Sequence, residues 1–158
     1  MLNGSTSATS PPSTPRPHRL GSALQALAGL MAASAPELLH TVDRIVPVPL
    51  HQGRHRARGF NQAEELARHL EPACMMKALR RTRATPSQTD LPEAQRHANV
   101  RGAFALRRGG TVAGLCVLLV DDVCTTGATL EACARVLTEA GAREVRALTA
   151  ARVVSRLR

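Results

Sequence analysis

The stretch Leu115-Cys-Val-Leu-Leu-Val-Asp-Asp-Val-Cys-Thr-Thr-Gly-Ala-Thr129 decides the fold. Its first half, Leu115 to Val120, is a continuous apolar run bounded by a glycine and two aspartates. A run of that length suits a parallel strand buried on both faces. Beyond it, Leu130, Cys133, Ala134 and Leu137 recur at helical spacing, which predicts a helix over about 129–140 stopped by Gly141. Residues 144–151 then read as another strand. Strand, helix, glycine and strand make one βαβ unit, so the fold class is α/β: an open, mostly parallel, twisted sheet flanked by helices.

Upstream, Asp43 to Pro49 reads as a short buried strand running into a proline-punctuated loop. Asn61 followed by Glu64 resembles a capping box, opening a helix whose apolar face is Ala63, Leu66, Ala67 and Leu70. Residues 80–101 are polar, arginine-rich and poorly periodic, which predicts a long loop; such loops in compact domains are usually functional. Residues 1–17 are Ser/Thr/Pro-rich and read as a flexible tail ahead of one domain over 18–158. Leu20 to Ala33 imitates a secretory signal, but its stripe of Leu24, Leu27, Ala28 and Met31 favours an amphipathic helix capped by Ser22 and running to about Leu39.

The chain has 158 residues and a net charge of +9, and Lys77 is the one lysine beside its arginines. Aromatic residues make up 1% of it, which excludes a stacking platform for single-stranded nucleic acid. A basic excess suits anionic partners, polymeric or small. No apolar run approaches the ~20 residues of a membrane span, so no membrane partner is expected. Cys74, Cys116, Cys124 and Cys133 form no C-x-x-C pair, and Cys116 and Cys133 fall on apolar faces where reduced thiols sit. Cytoplasmic residence follows as an expectation.

The chemistry lies just past the buried strand, since open parallel sheets bind ligands outside the carboxyl ends of their strands. Thr125, Thr126, Gly127, Ala128 and Thr129 lead into a helix; backbone N–H groups, hydroxyls and the helix dipole there suit a phosphate monoester. Gly127 lets the backbone approach an oxyanion closely. Asp121 and Asp122 would repel a phosphate but can accept hydrogen bonds from the vicinal hydroxyls of a sugar. A sugar phosphate satisfies both halves. The absence of G-x-x-x-x-G-K-[ST] and G-x-G-x-x-G argues against nucleoside triphosphatase or dinucleotide binding.

The string VLLVDDVCTTGAT resembles the ribose-5-phosphate signature of type I phosphoribosyltransferases. With IVPVPLHQGRHRARGFNQAEELA at 45–67 and RTRATPSQTDLPEAQRHANVRGAF at 81–104, the chain is similar to the ComF (competence protein F) family of phosphoribosyltransferase-like proteins. The resemblance covers about Ile45 to Arg152. It implies that Val48, Pro49, Leu50 and His51 form the pyrophosphate loop, with Arg54 just beyond, followed by Arg56 and Arg58. It implies a substrate lid over 82–99 carrying Gln88, Arg96 and Asn99. Members commonly begin with a four-cysteine zinc module, whereas this chain has no cysteine before Cys74 and resembles a shortened member or one with a displaced start. His51 and His55 lack a third ligand at metal spacing, so no protein-held metal is expected.

The resemblance implies an enzyme that binds phosphoribosyl pyrophosphate with Mg²⁺ and transfers the phosphoribosyl group to a nitrogen base, with Asp121 and Asp122 as the catalytic residues that hold the ribose diol. The alternative is a non-catalytic accessory of competence and DNA uptake, or a sensor of a phosphoribosyl ligand. Any association with DNA is expected to be weak and sequence-independent, carried by arginine–phosphate contacts. A homodimer is compatible with either.

Overall fold

The computed structural model describes residues 17–50, 60–83 and 98–152. Its centre is a three-stranded parallel sheet in the order β1-β4-β5, made of β1 (Arg44–Pro47), β4 (Cys116–Cys124) and β5 (Glu144–Arg152). Ile45 pairs with Leu118 and Val46 with Leu119, while Asp121 pairs with Thr149. Helices α1 (Pro17–Ser34), α2 (Pro36–His40), α3 (Gln62–Leu70) and α4 (Ala128–Glu139) surround it. A separate antiparallel ribbon pairs β2 (Leu79–Arg81) with β3 (Phe104–Leu106).

Side chains alternate across a strand, and here both faces are covered. Val46, Val117 and Leu119 pack with Leu79, Phe104, Ala128, Cys133 and Leu137, from the ribbon and α4. Ile45, Leu118 and Val120 pack on the other face with Leu24, Ala28 and Met31 of α1 and with Leu66 and Ala67 of α3. That two-sided burial is why 115–120 is uniformly apolar rather than alternating.

The βαβ unit stands as the residues indicate, with two local differences. β4 continues through Asp121 and Asp122 to Cys124, so the aspartates lie inside the strand rather than bounding it. Asp121, Val123 and Cys124 keep pairing with β5 although the apolar run has ended. Helix α4 begins at Ala128, one residue before the expected Thr129. It ends in a Schellman closure: Gly141, at φ +90°, donates to Thr138 O at 2.9 Å, and Ala142 donates to Leu137 O at 3.0 Å.

Other expectations are corrected. Ser22 does not cap α1, which starts earlier, at Pro17, a residue suited to a first helical turn. Pro17 therefore belongs to the helix and not to the tail, whose remaining residues lie outside the described ones. The helix does not run unbroken to Leu39: it stops at Ser34, and Pro36 opens α2. The reciprocal capping box is absent. Asn61 caps α3 by accepting from the Ala63 N–H at 3.2 Å, but Glu64 binds Arg68 and Lys77 instead. Residues 80–101 are not wholly loop, since Arg80 and Arg81 belong to β2.

Candidate functional site

The described pieces of the site gather at the carboxyl ends of β1 and β4. On β4, the Asp121 carboxylate accepts the Asp122 N–H at 3.0 Å, and the Asp122 carboxylate accepts the Val123 N–H at 2.9 Å. Burial, and then the adjacent Asp122 charge, push the Asp121 carboxyl up to about 7. The positive charge of Arg81 acts in the opposite direction.

The strand then turns into α4 through Thr125, Thr126 and Gly127. Gly127 occupies the N-cap position at φ +84°, the left-handed region that favours glycine, and no side chain caps the helix by a hydrogen bond. The Thr126 hydroxyl reaches the Ala128 N–H only at 3.4 Å. Asp121, Thr125, Gly127 and Thr129 line one small recess of about 20 Å³, together with Cys124 and Leu130. Carboxylate acceptor, hydroxyls and a helix start therefore converge.

Across the sheet, the Val48 N–H donates to Val120 O at 2.9 Å, extending the β1–β4 ladder by one step. The Val48 carbonyl accepts from Asn61 Nδ2 at 3.0 Å. Pro49 and Leu50 line a second cavity of about 150 Å³ with Asn61, Glu64, Lys77 and Arg107. His51, Arg54, Arg56 and Arg58 lie outside the described residues, as do Gln88 and Arg96. Asn99 is described; its carbonyl accepts from Arg83 Nη2 at 3.2 Å, and the same nitrogen donates to Arg101 O at 2.7 Å. Arg83 thus ties the two ends of the 84–97 segment together.

Three residues went unnoticed in the sequence: Lys77 and Arg107 beside the loop after β1, and Arg81 on the ribbon. The arginine surplus concealed the arginines, although Lys77 was conspicuous as the one lysine. All four cysteines are free, and Cys116 and Cys133 are buried as expected. Burial and the charge of Asp121 push the Cys133 thiol upward, which leaves it protonated and a poor nucleophile at neutral pH. Among the described residues no helix is long and apolar enough to cross a membrane.

Comparison with known proteins converges on one family. The model of the phosphoribosyl transferase domain matches residues 56–157. The DNA utilization protein YhgH of Escherichia coli K12 is 42% identical over 111 residues, covering 68% of this chain and 48% of that protein. Competence protein F of Haemophilus influenzae is 34% identical over 116 residues, covering 65% of this chain and 47% of that protein. The chain thus spans about half the length of the curated relatives it matches. Among solved structures, the allosteric regulatory enzyme of purine biosynthesis superposes with a TM-score of 0.56 at 24% identity, covering 83% of this chain and 26% of that one. At that identity the likeness concerns the fold.

Proposed function

The chain belongs to the phosphoribosyl transferase domain family, and from that premise we propose that it binds phosphoribosyl pyrophosphate at the carboxyl edge of the sheet and transfers the phosphoribosyl group to a nitrogen base. The observation that carries this reading is the shared recess of Asp121 with Thr125, Gly127 and Thr129. Hydroxyls and N–H groups at the start of α4 suit the 5-phosphate, and the Asp121 carboxyl, once ionised, suits the ribose hydroxyls.

In the transfer, the bond from the anomeric carbon to pyrophosphate breaks and its electron pair leaves with pyrophosphate. A bond from the base nitrogen forms, and the nitrogen proton passes to solvent. Such displacements run through an oxocarbenium-like state, so positioning and charge stabilisation dominate. Asp121 and Asp122 would lie beside the positive charge growing on the ring. Lys77 and Arg107, next to Pro49 and Leu50, are suited to the leaving pyrophosphate. Among the described residues no three His, Cys, Asp or Glu side chains gather as a metal cage. Mg²⁺ would be held mainly by phosphate oxygens and water, where it would neutralise pyrophosphate charge. Free, buried cysteines suit a reducing, cytoplasmic setting.

The test is calorimetric titration of Mg²⁺-phosphoribosyl pyrophosphate, followed by a pyrophosphate-release assay across a panel of nucleobases. Saturable binding with release of pyrophosphate supports transfer. Binding without release for any base reduces the protein to a sensor, and no binding removes the reading.

A second reading has its own support. Arg80, Arg101, Arg107 and Arg108 lie on or beside the ribbon, exposed and without an ion pair among the described residues. Elsewhere Arg68, Arg143 and Arg146 are matched to Glu64, Asp43 and Glu144. An uncompensated arginine surface suits a phosphodiester backbone, and the relatives' names point to DNA utilization and competence.

A further inference from the structure

The cavity of about 150 Å³ beside Pro49 and Leu50 is lined by the cations Lys77 and Arg107 and by one carboxylate, Glu64. Arg107 is fixed by the ribbon: its Nε donates to Leu79 O at 3.1 Å and its N–H to Ala78 O at 2.7 Å. Lys77 stands two residues before the buried Leu79, and its ammonium is bound by the Glu64 carboxylate. Glu64 lies in the first turn of α3, which Asn61 caps while also holding the Val48 carbonyl. Acid, ammonium and the loop after β1 are thus indexed to one helix start. Lys77 and Arg68 both meet the same oxygen of Glu64, Oε1, with Arg68 Nη2 at 2.9 Å. The Glu64 side chain is 18% exposed and that of Lys77 is 46% exposed.

We propose that Glu64 is an internal competitor for the diphosphate: it holds Lys77 until a diphosphate enters the cavity, and then yields the ammonium to it. The proposal rests on the phosphoribosyl reading for its ligand, but the exchange stands on the ion pair and the cavity. A carboxylate in the wall of an anion site repels the anion and occupies a cation that the anion would use. Lysine suits such an exchange, because its ammonium is a point charge on a flexible stem that can turn from one partner to another. Arg68 suits the other half. It stays on the same Glu64 oxygen when Lys77 leaves, so no part-buried carboxylate is stranded without a partner. The effect is to temper the hold on the leaving pyrophosphate, so that the product departs.

The test uses inorganic pyrophosphate, titrated calorimetrically into the full chain. Glu64→Gln should bind it about threefold more tightly, the worth of one partly exposed ion pair. A gain of affinity cannot come from a damaged fold. Lys77→Gln should bind it roughly tenfold more weakly, the loss of one charge-assisted hydrogen bond. Glu64→Gln added to Lys77→Gln should tighten binding less than it does alone, since its competitor role needs the ammonium. Glu65→Gln, which also removes a partner of Arg68 but does not line the cavity, should leave affinity unchanged. Lys77 is the one lysine of the chain, so lysine labelled with ¹³C at Cε gives a single side-chain signal to follow. That signal should move as pyrophosphate is added and saturate with the calorimetric binding curve. Equal or weaker binding by Glu64→Gln, or a Lys77 signal unmoved at saturation, overturns the proposal, as does failure of wild type to bind pyrophosphate. Ribose 5-phosphate is titrated separately. If it fails to bind while Lys77 still answers pyrophosphate, the phosphoribosyl reading falls and the exchange stands.

Discussion

Asn61 and Val48 are joined by one side chain that serves two elements. The Asn61 amide nitrogen donates to the Val48 carbonyl at 3.0 Å, while its oxygen accepts the Ala63 N–H that opens α3. The loop after β1 is therefore indexed to the first turn of a helix packed on the opposite face of the sheet. Asn61→Ala should cost about 1–2 kcal/mol, a helix cap plus a buried hydrogen bond. Asn61→Asp keeps the acceptor and loses the donor. Urea unfolding should place Asp between Asn and Ala, with amide exchange increased at Val48 and Leu50 in both variants.

Gly127→Ala should weaken ribose 5-phosphate binding and cost about 1–2 kcal/mol of stability, the price of a left-handed residue carrying a Cβ. Space is not the obstacle, because the nearest atom to an added Cβ is Glu131 Oε1 at 3.9 Å. Gly127→Val should be worse on both counts. Calorimetry alongside denaturation separates the two effects; unchanged affinity in a folded variant removes the phosphate loop from the reading.

Asp121 gives stability a distinctive pH dependence. Its folded value lies near 7, well above its ordinary 3.8, so the folded state holds the proton more tightly than the unfolded chain. That stabilisation is fully present below the ordinary value and is lost as pH rises through 7. Asp121→Asn should therefore be more stable than wild type at pH 8, by about 2 kcal/mol after allowance for solvent relaxation around the site, and the gap should shrink toward pH 5. Ligand affinity should run the opposite way and rise through pH 7 more steeply in wild type than in Asp121→Asn, since the carboxylate is the stronger acceptor for a diol. Denaturant melts and titrations at pH 5, 6, 7 and 8 measure both trends.

DNA binding should be weak, indifferent to sequence and steep in salt. Replacing Arg80 and Arg108 by Gln should lower the salt slope by nearly 2, because each phosphate contact contributes just under one. Arg143→Gln, at the amino end of the sheet and already matched by Asp43, should leave the slope unchanged. Fluorescence anisotropy with two unrelated duplexes at several salt concentrations measures the slopes; a preference for one duplex that survives high salt contradicts backbone-only binding.

The βαβ unit was legible because its signals are local and redundant. An apolar run, a helical stripe from Leu130 to Leu137 and a stopping glycine all agree. The ribbon was not, for a physical reason. Its strands have three residues each, too few for a period, and Leu79 alone of its first strand is buried, while Arg80 is exposed and Arg81 only partly buried. Its partner lies more than twenty residues away, so no hairpin signal joins them. Of the site, the aspartates and the threonine loop were readable as a string. Arg81 was not, because its relation to Asp121 exists only after the ribbon packs on α4. Glu64 misled in the opposite way: its spacing from Asn61 suits a box, yet two cations claim its carboxylate.

β4 contributes alternate side chains to both cores and lies between both other strands of its sheet. Its central amides have no local route to solvent; they exchange only when the whole domain comes apart. Leu118 and Leu119 are thus built-in gauges of global stability, readable under native conditions without denaturant. Three residues further on, the same strand carries Asp121 and Asp122, the carboxylates proposed to meet the ribose. A fall in activity accompanied by faster exchange at 118–119 would be a folding defect. A fall without it would be chemistry.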